Sequence, residues 1–389
     1  MEGRTALTAK PIKQQSAKAF YDDVDSICIS GLTRSLNPET HVYDLQIMDK
    51  KWANTYEFYP TEDLTSTAIC LIGITRGKVD PATLGMDLQQ TLEAMYELAK
   101  KRNYPGGFGL VVWANAVCGG VDFETLKQRC GIDLTNFDKH LEALTTMETA
   151  WLASGLAHEL HNGNEAVEPL LRAAVRELIE VRYQPKHQIV THAGNGAESG
   201  HGIRRWIANF ADQVYTIQAL AFHAKLTGDE RSAKTSADLA AKMVEMQGAK
   251  GQWWWHYDAK RGGSPQPYSV YSVHQHGMAP MALRACERAS GNSFEEAVVM
   301  SRSWMDDNEL GVNMVDHDFP TLWRSIEYDQ GKLGDVTRKA RSLLGIAGDQ
   351  SRKSPPALRV NYETRPYEWA WCIYAGAIER GIDPDRHIV

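Results

Sequence analysis

Residues 214–246, VYTIQALAFHAKLTGDERSAKTSADLAAKMVEM, divide at Thr227-Gly228-Asp229 into two unlike halves. The first is apolar on nearly every face. The second keeps Leu239, Ala240 and Met243 on one stripe and gives the other faces to charged and small polar residues. A helix that is apolar all round touches protein on every side, whereas one with a single stripe lies at the periphery. Glycine suits the left-handed cap that ends the first helix, and aspartate suits the cap that starts the second. The stretch therefore predicts a helical hairpin with a buried arm and an outer arm.

The same pattern returns in AWLASGLAHELHNGNEAVEPLLRAAVRELIEV (150–181) and GMAPMALRACERASGNSFEEAVVMSRSW (277–304). Less regular copies are LTSTAICLIGI (64–74) before ATLGMDLQQTLEAMYELAKK (82–101), and GFGLVVWANAVCGG (107–120) before DFETLKQRC (122–130). The apolar YEWAWCIYAGAIERG (367–381) follows the amphipathic DVTRKARSLLG (335–345). Recurrence of one supersecondary unit marks a repeat architecture. Apolar helices are expected near 64–75, 107–118, 147–160, 210–226, 272–289 and 367–380, forming an inner ring inside an outer one. This all-α arrangement resembles the (α/α)6 toroid of six-hairpin glycosidases, sugar epimerases and polysaccharide lyases, and the related toroid of terpenoid cyclases. The resemblance implies one toroid domain over residues 1–389, with 1–60 as an N-terminal helical extension packed on it.

Composition narrows the partners. The 389 residues carry a net charge of −7 and no block of basic residues, which argues against nucleic acid. No run is long and apolar enough for a membrane span, and the start MEGRTALTAKPIKQQ lacks the apolar stretch of a secretory signal, so a cytoplasmic protein is expected. The six cysteines form no CxxC pair and read as small buried hydrophobes, not metal ligands.

The connections are asymmetric. Inner-to-outer turns such as NGN, TGD and SGN are short, while outer-to-inner loops are long and rich in Trp, Tyr, His, Arg and Asp. Alternating helix directions place all the long loops on one face, where function is expected. GQWWWHYD (251–258) lies in one of them, between the turn-like GAKG and RGGSPQP. If extended, it points Trp253, Trp255 and Tyr257 one way and Trp254, His256 and Asp258 the other. YSVYSVHQHG (268–277) then sets His274 and His276 at the N-terminal end of an inner helix, whose dipole favours a neutral imidazole able to act as a base.

The expected proton-transfer residues are His256, Asp258, His274 and His276. Expected substrate contacts are Trp253, Trp254, Trp255, Tyr257 and Tyr367, with Arg204, Arg324 and Arg365 to hold an anion. The alternative reading is that each arginine pins a loop by pairing with a neighbouring acid such as Glu327, Glu363 or Asp318. No metal or cofactor is expected. The favoured function is a carbohydrate-active enzyme, a hydrolase, lyase or epimerase, acting on an anionic sugar by His/Asp acid–base chemistry in an aromatic-lined cavity. An isoprenoid cyclase or prenyl-diphosphate enzyme is the alternative, using magnesium held by acidic stretches such as WMDDNELG (304–311) or YDDVD (21–25). A non-catalytic binding or scaffold toroid is the third. Oligomeric state is open.

Overall fold

The computed structural model describes residues 17–47, 57–195, 201–329 and 357–382. Its inner helices are α2 (Leu64–Arg76), α4 (Pro105–Cys118), α7 (Thr146–His161), α9 (Phe210–Thr227), α11 (Ala279–Ser290) and α13 (Pro366–Glu379). Each packs on the next, and α13 returns to α2, so the ring closes. Outside it lie α1 (Ala17–Ser35), α3 (Leu88–Arg102), α5 (Phe123–Cys130) with α6 (Phe137–Ala143), α8 (Glu168–Arg176), α10 (Glu230–Glu245) and α12 (Glu295–Ser303). The all-α, six-hairpin toroid expected from the repeat is the observed fold. Within the expected N-terminal extension, α1 packs on α13 and takes an outer-ring position. The amphipathic stretch 335–345 lies outside the described residues.

Local chemistry explains the hairpins. Gly228 caps α9 at φ +73°, its N–H bonding the Ala224 carbonyl, and the Asp229 side chain accepts from the Ser232 N–H to start α10. The other breaks vary: α7 ends on Asn162 and α12 begins at Phe294. The fifth inner helix departs further, because a wide π-type turn over His274–Met278 precedes α11. Pro280, in the first turn of α11, has no N–H for the His276 carbonyl four residues back. That carbonyl accepts instead from the Tyr21 hydroxyl of α1 at 2.7 Å, which ties the outer ring to the turn.

The axis of the ring is filled. Trp113 lies against His158, Phe222 and Trp371, and Trp371 against Tyr374, each pair at 5.5–6.0 Å between ring centres. The long connections gather at the N-terminal ends of the inner helices. Ile207–Asn209 pairs antiparallel with His256–Asp258, and Ser325–Tyr328 lies between Val270–Tyr271 and Leu358–Asn361. Among the described residues no helix is long and apolar enough to cross a membrane.

Close helix contacts rely on glycine. A Cβ on Gly73 of α2 would stand 2.4 Å from the Ala370 carbonyl oxygen of α13, where backbone cannot swing aside. Gly73→Ala is expected to cost about 1–3 kcal/mol by forcing the helices apart. Gly263→Ala, whose Cβ meets nothing within 4 Å, should change stability by less than about 0.5 kcal/mol. Denaturant melts of the two variants check this.

Candidate functional site at the mouth of the inner ring

Three inner helices place an acid at the third position of their first turn and an aromatic ring three residues later. These are Glu148 and Trp151 on α7, Asp212 and Tyr215 on α9, and Glu368 and Trp371 on α13. Residues three apart share a helix face, so the acids stand one turn above the rings. The rings touch: Trp151 meets Tyr215 edge-on at 5.6 Å, and the Trp371 indole donates to the Tyr215 hydroxyl at 2.9 Å. The mouth thus has an aromatic floor beneath an acidic layer.

Two of the acids are engaged. Glu148 accepts from the Thr145 N–H and hydroxyl at 2.7 and 2.8 Å, closing a capping box, and from the Tyr104 hydroxyl. Asp212, fully buried, accepts from the Asn209 N–H at 2.7 Å and the Met147 N–H at 3.0 Å. Its Oδ2 also takes the His192 Nδ1–H at 2.8 Å. That bond orients the imidazole and leaves Nε2 as the acceptor, the arrangement of a general base. His201 lies edge-on to His192 at 5.0 Å.

Glu368 differs. It is fully buried, and neither carboxylate oxygen has a hydrogen-bond partner among the described residues. Glu363 takes the nearby cations instead, its Oε1 accepting from both Arg324 and Arg365. Burial pushes the Glu368 carboxyl up to about 8, against the pull of Arg324.

The residues singled out in the sequence are distributed as follows. His256 is half-buried, with Nδ1 unpartnered among the described residues. Burial, then the Arg204 charge, pulls its pKa down to about 3, so it is neutral. His274 stacks between Phe210, at 4.1 Å, and Trp255, at 5.8 Å and 8°. Its Nδ1 is also unpartnered, and burial holds it well below the usual histidine range. His276 lies behind, under Tyr21, fully buried. Asp258 is 3% exposed and accepts from the Lys260 and Arg261 N–H groups and the Arg261 guanidinium, closing its own turn.

The three tryptophans separate. Trp253 is sealed, its indole donating to Ser301 Oγ at 2.7 Å, and Trp254 donates to the Met246 carbonyl at the end of α10. Only Trp255 joins the mouth, against Tyr271 at 4.8 Å and beside His256. Tyr257 is fully buried. The simple alternation fails because extended pairing starts only at His256. Glu309 pins the loop from outside by accepting from Gln252, Tyr268 and Trp304.

Of the arginines, Arg324 lies over the Tyr271 ring and Arg365 precedes the first turn of α13; both are held by Glu363. Arg204 bonds Asn209 at 2.8 Å through Nη2, and its buried Nη1 has no partner among the described residues. Tyr367, half-buried in the first turn of α13, keeps its proton through burial. Among the described residues no three His, Cys, Asp or Glu side chains gather as a metal cage would need.

The acidic stretches are structural pins. Asp307 pairs with Lys250, Asp22 and Asp25 with Arg380, and Asp23 with His317. The residues missed in the sequence are His192, Asp212, Glu148 and Glu368. A visible signal existed for two of them: the three-residue spacings Thr145 to Glu148 and Asn209 to Asp212 are capping-box spacings.

Solved structures share this architecture over most of the chain. A cellobiose 2-epimerase from Bacillus thermoamylovorans superposes with a TM-score of 0.62 at 11% identity, over 93% of this chain and 99% of that one. An unsaturated glucuronyl hydrolase from a Bacillus species, described as responsible for glycosaminoglycan degradation, gives 0.60 at 11%, over 93% and 97%. The chain has the (α/α)6 toroid fold of these enzymes. An unsaturated glucuronyl hydrolase specific for heparin gives 0.56 at 10%, over 94% and 98%. No protein-family model and no curated protein sequence matches the chain.

The two indoles offer a direct check. Trp253→Ala should cost about 3–5 kcal/mol, as for a sealed core aromatic, and Trp255→Ala markedly less, because its ring is part-exposed. Equal losses in urea melts would contradict the separation.

Proposed function

We propose that the chain is a carbohydrate-active enzyme that acts on an anionic sugar or oligosaccharide at the mouth of the ring. The observation that carries the reading is the gathering there of buried polar atoms without partners among the described residues: Arg204 Nη1, His256 Nδ1, His274 Nδ1 and both Glu368 oxygens. A buried polar group without a partner is costly, and a cluster of them marks a place where a polar ligand completes the bonding. A saccharide supplies such groups, and its apolar ring face suits Trp255.

Each residue takes a role from its surroundings. His192, oriented by Asp212, is the general base. Arg204 offers a charged donor to a sugar carboxylate, and neutral His256 and His274 donate or accept hydrogen bonds to hydroxyls. The names of the fold neighbours, two glucuronyl hydrolases and an epimerase, agree with the reading without choosing the bond changed. Side chains suffice for the proton transfers, so we propose no cofactor. The prenyl-diphosphate alternative has less support, since Asp307 and Glu309 are occupied by Lys250 and by Gln252, Tyr268 and Trp304.

The test is proton NMR of the protein with a panel of uronate-containing oligosaccharides in heavy water. New reducing ends, unsaturated uronate signals or solvent exchange at a ring carbon identify hydrolysis, elimination or epimerisation. His192→Ala and Asp212→Asn should each lower turnover by about 10²- to 10⁴-fold with the fold retained. Arg204→Met should weaken binding of the acidic saccharide by about 1.5–3 kcal/mol and leave a neutral analogue nearly unaffected. Full activity in the His192 and Asp212 variants, or equal loss for both ligands in the Arg204 variant, sinks these assignments.

A further inference from the structure

Of the three acids in the mouth's upper layer, Glu368 alone has no hydrogen-bond partner among the described residues. Three observations fix its setting. It begins the ring-lining face of α13, one turn above Trp371, whose indole reaches across to Tyr215 of α9. Both oxygens are buried and without partners among the described residues. The two guanidiniums that would hold it as a carboxylate, Arg324 and Arg365, are both bonded to Glu363. At the same position of their helices, Glu148 and Asp212 each accept from backbone N–H groups, and Glu148 from a capping hydroxyl as well. Glu368 does neither.

We propose that Glu368 is the proton donor of the site, delivering its proton to the glycosidic oxygen that departs from the sugar. The assignment rests on the saccharide reading above. As the C–O bond breaks, its electron pair goes to that oxygen, which takes the Glu368 proton and leaves as a hydroxyl. In hydrolysis a water oxygen bonds to the anomeric carbon and gives its proton to His192 Nε2. In elimination His192 Nε2 takes a proton from the ring carbon next to the breaking bond, and the C–H electron pair becomes the new C=C bond. Solvent then reprotonates Glu368 and deprotonates His192. The charged and titratable groups facing Glu368 are Arg324, Glu363 and Arg365, with Tyr367 beside it. Burial outweighs the two cations and keeps the acid form at neutral pH.

Glu368→Gln provides two readouts. The folded carboxyl titrates near 8 against an ordinary value of 4.5, so the folded protein holds a proton there that the unfolded chain releases. Parent stability is therefore lost as pH rises from about 4.5 to about 8, and the glutamine variant lacks that loss. The melting temperature of the variant minus that of the parent should thus rise across this range. In turnover, the parent should decline above about pH 8, while the variant should be slower by about 10²-fold or more and lack that limb.

Turnover within about threefold of the parent, with the alkaline limb intact, overturns the donor role while leaving the saccharide reading standing. So does a reaction that proves to be epimerisation without bond cleavage. A difference in melting temperature that is flat with pH overturns the protonated state. If the parent acts on no uronate-containing saccharide, the reading of the site fails and the donor role falls with it.

Discussion

The backbone-to-backbone approach of α2 and α13 at Gly73 and Ala370 joins the first inner helix to the last and makes a ring out of a row. The inner contacts between α4 and α7 use the same device, with Gly109 against Leu152 and Gly155 against Trp113. Close approach draws the N-terminal ends of the inner helices together at one mouth. Each brings unsatisfied N–H groups and a partial positive charge, which favour acids in the first turn. Closure of the ring is therefore a precondition for the layer formed by Glu148, Asp212 and Glu368.

What separates the three acids is the company each keeps. Thr145 and Tyr104 occupy Glu148, and Asn209, Met147 and His192 occupy Asp212. At Glu368 the neighbouring acid, Glu363, has captured the arginines. Desolvation without compensation is costly to the charged form and raises the affinity for a proton. The same logic runs in reverse at His256 and His274, where burial and nearby guanidiniums keep the imidazoles neutral. The mouth therefore holds an uncharged carboxyl group and two uncharged imidazoles near neutral pH.

The fold was legible because its signal is local and repeated. Residues 214–226 are apolar on all faces since inner helices have neighbours on all sides, while 232–243 need only one stripe. The loop asymmetry was legible too, and the long connections do gather at the N-terminal ends of the inner helices. The site itself depends on pairings that sequence does not display. Nothing near Trp253 announces Ser301 as its partner, and nothing in HYD announces that Asp258 closes its own turn. Glu368 and Asp212 lie inside apolar stretches whose pattern reads as core, although a glutamate in the apolar run YEWAWC is itself an anomaly. Position 280 carried a readable clue as well, since a proline so near a helix start displaces the hydrogen bonds before it.

The central claim is that the mouth above Trp151, Tyr215 and Trp371 receives an acidic saccharide. Crystals of the Glu368→Gln protein soaked with a uronate-containing disaccharide test it most directly. The account predicts a sugar ring against Trp255, its carboxylate at the open Arg204 nitrogen, and a glycosidic oxygen within hydrogen-bond reach of position 368. A saccharide bound only elsewhere, or a mouth that stays closed to it at saturating concentration, would contradict the account.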